Sequence, residues 1–224
     1  MFEEFLSQND IFTSYISGSV ALFIAAFTSI ISVANPLAAM PVFLSLTDRN
    51  TDTERIYVAK KSSFYMFLVL IIFLLIGTYI MSFFGISLPG IRIAGGLIIL
   101  RAAYAMLNPD VSEKKISDEA QEAAKEKEDI SFSPMAMPML SGPGSIAVVI
   151  GLASQAEGFI DLLITSAAIV VVALISYGVL RLAPFSARYI GPTGMNAITR
   201  MMGFIAMAIG VQFILNGISS FFGV

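Results

Sequence analysis

The stretch SVANPLAAMPVFLSLT, residues 32–47, interrupts a long apolar run first with Asn35-Pro36 and then with Pro41. Inside a helix, proline lacks a backbone N–H and its ring clashes with the carbonyl four residues before it, at a cost of about 3 kcal/mol. Asparagine is a favoured N-cap residue, and proline is favoured at the first position of a helix. We therefore predict that one helix ends before Asn35 and a second begins at Pro36, whereas Pro41 is interpreted as a bend.

The composition around this stretch is that of an integral membrane protein. Of the 224 residues, 57% are hydrophobic and 13% are charged, and the mean hydropathy is +0.84. The apolar stretches are about 20 residues long, which is the length that a helix needs to cross a bilayer. No strand-length alternation of polar and apolar residues is visible. The sequence therefore predicts an all-α membrane protein.

The apolar runs predict six transmembrane helices. They cover residues 16–46, 62–84, 88–107, 132–155, 160–182 and 197–220. Lysine and arginine are concentrated in the connections after the first, third and fifth spans, and by the positive-inside rule these connections face the cytoplasm. Both termini are then predicted to lie outside the cytoplasm. The acidic N-terminus is unlike the basic start of a signal peptide, so no cleaved segment is expected.

The chain contains neither cysteine nor histidine. Disulfides, thiol relays, imidazole metal ligands and Ser-His catalysis are thereby excluded. Aspartate and glutamate occur only at the edges of the predicted spans, which leaves proton coupling without an evident buried carboxylate. An intramembrane hydrolase is disfavoured for the same reasons. The sequence predicts no enzymatic activity, no metal and no cofactor.

The second half of the chain repeats features of the first half. ANPLAAM at 34–40 is matched by SGPGSIA at 141–147, 107 positions later, and IRIAG at 91–95 is matched by TRMMG at 199–203, 108 positions later. Because each half contains three spans, the second half must be inverted relative to the first. Inverted repeats with broken helices are an architecture of many secondary transporters. We predict two inverted three-helix repeats in which helices 1 and 4 are broken.

The repeat also sets the predicted domain boundaries. Residues 1–107 form the first three-helix repeat, residues 108–131 form a charged cytoplasmic linker, and residues 132–224 form the second repeat. The linker is rich in charged residues and is expected to be solvated. A regulatory or partner-binding role for it is the alternative.

The segment SGPGS, residues 141–145, predicts a second helix start equivalent to the one at Pro36. Ser141 or Gly142 can cap this helix, Pro143 can open it, and the glycines allow the backbone to come close to a ligand. In an inverted repeat, the two helix starts approach the middle of the membrane from opposite sides. Each presents unpaired N–H groups and about half a positive charge, which suits an anionic group.

The helix ends before each break offer carbonyl groups near Val33 and Leu140, which suit a cationic donor. A site that offers both positive and negative partial charge fits a zwitterion. Its small lining residues leave room only for a substrate with a small side chain. We therefore predict a free amino acid such as glycine or alanine as the substrate. The predicted substrate-binding residues are Ser32, Asn35, Pro36, Ser141, Gly142, Pro143, Gly144 and Ser145.

Several other polar and small residues in the spans can also be interpreted from the sequence. Arg92 and Arg200 lie at matching positions, and we predict that they are gates or substrate partners, with snorkelling to the interface as the alternative. Asn108 and Asn216 are interpreted as helix ends. Three glycines recur every seven residues and predict a helix packing face: Gly203, Gly210 and Gly217.

Three segments carry a family resemblance: NPLAAMPVFLSLT in the first span, SPMAMPMLSGPGSIAVV in the fourth, and PGIRIAGGLIIL in the third. They resemble the MarC/SnatA family of bacterial and archaeal inner-membrane proteins, and the resemblance covers nearly the whole chain. It implies six spans, membership of the wider group that includes lysine exporters, and transport of small neutral amino acids. It also implies that the substrate site is lined by Asn35, Pro36, Gly142, Pro143 and Gly144. Without cysteine, the chain departs from the cysteine-based electron carriers in that wider group.

The sequence thus predicts a multi-pass carrier of the inner membrane that moves small neutral amino acids by rocking one half against the other. Its expected partners are a small zwitterion and the bilayer, and no nucleic acid. An efflux carrier for other small metabolites or drugs, and a non-transporting membrane scaffold, stay open as alternatives. Coupling to protons or to sodium held by Thr28, Ser29 or Ser32 also stays open, as does homo-oligomerisation.

Overall fold

The computed structural model describes residues 2–48, 50–107, 131, 135–136 and 140–223. Most of these residues are helical, and five helical stretches are long and apolar enough to cross a membrane. The expectation of an all-α, multi-pass membrane protein is confirmed. The helices are α1 (Phe2–Ala34), α2 (Pro36–Leu46), α3 (Asp52–Phe84), α4 (Leu88–Leu107), α5 (Pro143–Gln155), α6 (Phe159–Gly191) and α7 (Thr193–Phe222).

Helix α3 begins ten residues before the apolar run that predicted it. Thr51 and Glu54 form a capping box, in which the Thr51 N–H donates to Glu54 Oε2 at 2.8 Å and the Glu54 N–H donates to Thr51 Oγ1 at 3.4 Å. This box satisfies two backbone donors that the start of a helix would otherwise leave unpaired. The polar turns 52–61 are therefore helical, although hydropathy placed them in a connection.

The connection predicted at 183–196 is also wrong. Helix continues to Gly191, which has a φ of 69° and a ψ of 172°, and α7 starts directly afterwards. Arg181 and Arg188 consequently lie within α6 rather than after it. A positive φ combined with a ψ near 180° is essentially restricted to glycine, so this one residue is enough to separate the two spans.

Helices α4 and α7 pack antiparallel through glycines. A Cβ atom placed on Gly96 would lie 2.7 Å from the Gly210 carbonyl oxygen, and one placed on Gly210 would lie 3.0 Å from that of Gly96. Gly203 lies against the end of α4 and Gly217 against its start. The predicted glycine packing face is therefore confirmed, and the absence of side chains lets the two backbones approach closely.

Helix α5 also runs antiparallel to α4. Gly151 lies near Leu88 at the start of α4, and Gly144 lies near Ile99 in its middle. The main apolar core is formed by residues of α1, α2, α3, α5 and α6, by the segment before α5, and by Met195 at the start of α7. Its largest fully buried members include Ile30, Phe43, Met66, Leu70, Leu140 and Ile169.

Several predictions fall outside the described residues. These are most of the 108–131 linker and the helix end at Asn108. The domain boundaries, the inverted relation of the two halves and the side on which the termini lie stay predictions.

Candidate functional site

The first helix break is centred on Asn35. The Asn35 N–H donates to the Ile31 carbonyl at 2.9 Å, and Asn35 then adopts a left-handed conformation with a φ of 39° and a ψ of 65°. Its Oδ1 accepts a hydrogen bond from the Ala38 N–H at 3.3 Å, which caps the helix that follows. Helix α1 thus ends at Ala34 and α2 begins at Pro36, so the predicted break is confirmed.

The far end of α2 is tied to the start of α3. Helix α2 continues through Pro41, in agreement with a bend, and ends before Thr47. Arg55 donates from Nε to the Thr47 carbonyl at 2.9 Å and from Nη2 to the Asp48 carbonyl at 3.0 Å. Terminal helix carbonyls lack partners within the helix, so the guanidinium group completes the end of α2.

The second helix start lies at Pro143, as predicted. Gly142 precedes it as the N-cap residue, with a φ of −66° and a ψ of 174°, and no side chain accepts a hydrogen bond from the first turn. Pro143 has no N–H of its own. Among the described residues, the N–H of Ile146 donates to the Gly142 carbonyl at 3.1 Å, and the N–H groups of Gly144 and Ser145 are the donors of the first turn that lack an acceptor.

Both serines at this start turn back towards the preceding segment. The N–H and the hydroxyl of Ser141 both donate to the Ala136 carbonyl at 2.8 Å, which spans five residues as in a π-turn. The hydroxyl of Ser145 donates to the Leu140 carbonyl at 3.3 Å. The Leu140 carbonyl, predicted to be open for a cationic donor, therefore already accepts one hydrogen bond.

The two breaks meet in the bundle. A Cβ atom placed on Gly144 would lie 3.0 Å from Cγ1 of Val33 and 2.8 Å from Cγ1 of Ile99. Val33 is two residues before Asn35, and Gly144 directly follows Pro143. The start of α5 is thus packed against the end of α1, although the two are far apart in sequence. The contact is apolar and so tight that a larger residue at position 144 would require the side chain of Val33 or Ile99 to shift.

The structure places the predicted substrate-binding residues around this contact with different exposure. Pro36, Ser141, Gly144 and Ser145 are buried, Ser32, Asn35 and Gly142 are half-buried, and Pro143 is exposed. Their role in binding stays a prediction.

A cavity of about 450 Å³ lies between α1, α4, α5 and α7. Its volume is in the range of small-molecule sites. Residues of α5 and Phe213 of α7 form its apolar wall. Its polar lining consists of Ser29, Arg92, Gln155, Asn216, Ser219 and Ser220.

The cavity extends from one end of the bundle towards the helix breaks. Gln155 is the last residue of α5, about 18 Å from Pro143 at 1.5 Å per residue. Ala147, at the other end of the lining, is about 6 Å from Pro143. The lining therefore stops about one helical turn short of the second helix start.

Of the two arginines predicted as gates, only one lies at the cavity. Arg92 lines it and donates from Nη1 to Ser220 Oγ at 2.7 Å, which joins α4 to α7. Arg200 is exposed and is not part of the lining. Although the two arginines occupy matching positions in the sequence, their surroundings in the structure differ.

Asn216 is a lining residue that the sequence interpretation missed. The prediction of a helix end there is wrong, because α7 continues to Phe222 and the Oδ1 of Asn216 accepts from Gln212 Nε2 at 2.7 Å. Gly217 suggested a helix end, but it lies inside α7 and allows close approach to Pro89, whose carbonyl would be 3.0 Å from an added Cβ. The seven-residue spacing of the glycines was the signal for a continuing helix.

Comparison with known proteins identifies relatives across most of the chain. The sequence model for MarC family integral membrane proteins matches residues 20–222. A UPF0056 membrane protein of Methanocaldococcus jannaschii is 41% identical over 196 residues, which cover 88% of this chain and 95% of the relative. The UPF0056 inner membrane protein MarC of Escherichia coli strain SMS-3-5 is 40% identical over 201 residues, which cover 84% of this chain and 90% of the relative.

A UPF0056 membrane protein of Aquifex aeolicus is 35% identical over 202 residues, which cover 89% of this chain and 93% of the relative. No solved structure matches the chain significantly.

Proposed function

The chain belongs to the MarC family of integral membrane proteins, and from this premise we propose that it is a secondary transporter of small neutral amino acids, such as glycine or alanine, that works by alternating access. The Escherichia coli relative is named an inner membrane protein, and the same location is proposed for this chain. The observation that carries the proposal is the contact between the two helix breaks through Val33 and Gly144.

The chemistry of the breaks supports a zwitterionic substrate. The N–H groups of Gly144 and Ser145 have no partner within α5 and lie at the positive end of its dipole. A substrate carboxylate is the natural acceptor for such donors. A substrate ammonium group has carbonyl oxygens of the preceding helix ends as acceptors, which retain lone pairs even where one hydrogen bond is already made.

The tightness at Gly144 supports a small substrate. The side chains of Val33 and Ile99 lie only 3.0 Å and 2.8 Å from where a Cβ atom on Gly144 would stand. Passage of a solute requires these elements to separate, and the space that a modest separation opens suits a hydrogen or methyl side chain. Bulky amphiphilic drugs would need a much larger movement, so drug efflux is disfavoured.

The closed contact supports alternating access. The lining of the cavity runs from the end of the bundle at which α5 ends to Ala147, about one turn of α5 from Gly144. At the other end, α2 is held to α3 by Arg55. Rocking of one half of the molecule against the other would close the cavity and open a route past Arg55. Such rocking about a fixed central site is common among carriers built from broken helices.

Flux measurements on proteoliposomes test the proposal. Purified wild-type protein is expected to move radiolabelled glycine or alanine, with sodium and proton gradients varied separately to identify a coupling ion. Gly144→Ala adds one methyl group between Val33 and Ile99, and we expect it to lower flux about tenfold or more because misplacement of about 1 Å can disrupt such a site.

Gly178→Ala is the matched control, since a Cβ atom on Gly178 meets nothing within 4 Å. This variant should transport like the wild type. Absence of flux for every small neutral amino acid in the wild type would overturn the function. Equal flux in Gly144→Ala and Gly178→Ala would overturn the assignment of the site.

A further inference from the structure

We infer that the cavity between α1, α4, α5 and α7 is a carboxylate-selecting vestibule, in which Arg92 binds the carboxylate of an entering solute before the solute reaches the helix breaks. The identity of the solute rests on the proposed function. The charge preference of the vestibule does not, and it is tested separately below.

The position of the guanidinium group is the first reason. Arg92 lies in the second turn of α4 and donates to Ser220 of α7 at 2.7 Å, a residue 128 positions away. An arginine that only snorkelled to the interface would extend away from the bundle. Here, the bond to Ser220 holds the guanidinium group across the α4–α7 groove, where it forms part of the cavity wall.

The available donors are the second reason. A guanidinium group has five N–H donors, and the bond to Ser220 uses one of them. Asn216 points its Oδ1 at Gln212, which leaves its amide N–H groups for the cavity. Charged and neutral donors therefore face the same space. An anion with two oxygens can accept from both, and arginine matches the planar geometry of a carboxylate particularly well.

The charge balance of the lining is the third reason. Arg92 is the charged member of the described lining, and the other residues are neutral. Glu157 lies in the turn beyond α5 and Asp161 in the first turn of α6, where its Oδ2 accepts from the Glu157 N–H at 2.8 Å, and neither carboxylate lines the cavity. A cleft with one sign of charge and apolar walls concentrates ligands of the opposite sign. Hydroxyl oxygens of Ser29 and Ser219 are neutral acceptors for the ammonium group of a zwitterion.

Charged thiol reagents test this preference without knowledge of the substrate. The chain is naturally free of cysteine, so Ser29→Cys introduces a single thiol in the cavity with nearly the original shape. The probes are the anionic sulfonatoethyl and the cationic trimethylammonioethyl methanethiosulfonate. The rate at which each reagent modifies the protein thiol is divided by its rate with a small free thiol in solution. We expect the anionic reagent to be favoured at Ser29→Cys. Adding Arg92→Gln should lower this preference about tenfold, and Arg92→Lys should retain most of it.

Ser82→Cys is the matched control, because Ser82 is exposed near the same end of the bundle but does not line the cavity. Its preference between the two reagents should change less than about twofold when Arg92→Gln is added. The inference is overturned if Arg92→Gln leaves the preference at Ser29→Cys unchanged. It is also overturned if neither reagent reaches that thiol.

Transport kinetics then connect the vestibule to the substrate. Arg92→Gln should raise the KM for glycine or alanine about tenfold with a smaller change in kcat, since Arg92 acts at entry. Alanine should compete with labelled substrate, whereas alaninamide, which lacks the carboxylate, should not. An unchanged KM in a protein that does transport would refute the role of Arg92. A wild-type protein without flux would refute the proposed function and leave the result with the thiol reagents to stand alone.

Discussion

The two helix breaks start their second helices with the same residue and close the first turn in different ways. At the first break, Asn35 is left-handed and its own side chain caps α2 through the Ala38 N–H. At the second break, Gly142 is extended and has no side chain, so the first turn of α5 has no side-chain cap. At the first break, the Asn35 side chain pairs with one backbone donor of α2, whereas at the second break no side chain pairs with the donors of α5.

Because of this difference in capping, we expect the two breaks to have different roles. A capped helix start has less need of a ligand, because one of its donors is already paired. The N–H groups of Gly144 and Ser145 belong to buried residues, and an unpaired buried donor is costly unless a ligand accepts from it. We therefore expect the first break to contribute mainly to stability and the second mainly to substrate binding. Substitutions at Asn35 and Gly142 test this division, and a substitution at Gly144 tests the packing between the two breaks.

The largest effect is expected at Gly144. Gly144→Leu forces a large side chain against Val33 and Ile99, and it should lower the free energy of unfolding by about 3 kcal/mol, as overpacking of a tight core does. Gly178→Leu, where the added side chain meets open space, should change it by less than about 0.5 kcal/mol. Equilibrium unfolding in detergent micelles measures both, and equal losses would show that the two breaks do not pack as described.

An intermediate effect is expected at Asn35. Asn35→Ala removes the cap and places alanine, which cannot form a side-chain hydrogen bond, in a left-handed conformation. The combined loss in the free energy of unfolding should be about 2 kcal/mol. Asn35→Gly also loses the cap but accepts the conformation, so its cost should be only a few tenths of a kcal/mol. The same unfolding assay separates the two variants. Equal costs for alanine and glycine would mean that the positive φ of Asn35 is unimportant.

The smallest effect on stability is expected at Gly142. Gly142→Ser gives the second break a cap like that of the first, and it should stabilise the protein by a few tenths of a kcal/mol. Because the new hydroxyl competes with the substrate for the donors of α5, flux should fall although stability rises. A rise in both stability and flux would contradict a binding role for this helix start.

Much of the local structure could be predicted because its causes lie within a few residues. Asn35-Pro36 and Gly142-Pro143 specify helix starts through the chemistry of proline, and the glycines of α7 specify a packing face through their spacing. The polar turns 52–61 were missed because hydropathy detects only apolar helix. Gly191 was missed because a single residue with positive φ replaced the connection expected at 183–196.

The candidate site was predicted less completely, because its residues are positioned by contacts between helices and not by their local sequence. Asn216 was taken for a helix end because Asn-Gly often terminates helices, whereas packing of Gly217 against α4 keeps α7 continuous. Arg92 and Arg200 could not be told apart because their local sequences match, whereas the structure places Arg92 at the cavity with a bond to Ser220 and leaves Arg200 exposed outside it. Ser145 was expected at the site, but the direction of its hydroxyl towards Leu140 depends on the irregular turn before α5.

The sequence by itself determined that the chain is an all-α membrane protein, where its helices break, and that chemistry dependent on cysteine or histidine is absent. These properties follow from composition and from steric rules that act over one helical turn. Only the tertiary structure decided that Val33, Gly144 and Ile99 bring the two breaks together, and that Arg92 faces a cavity shared by four helices. Such contacts join residues that are distant in the chain, so they depend on how whole helices pack rather than on any local pattern.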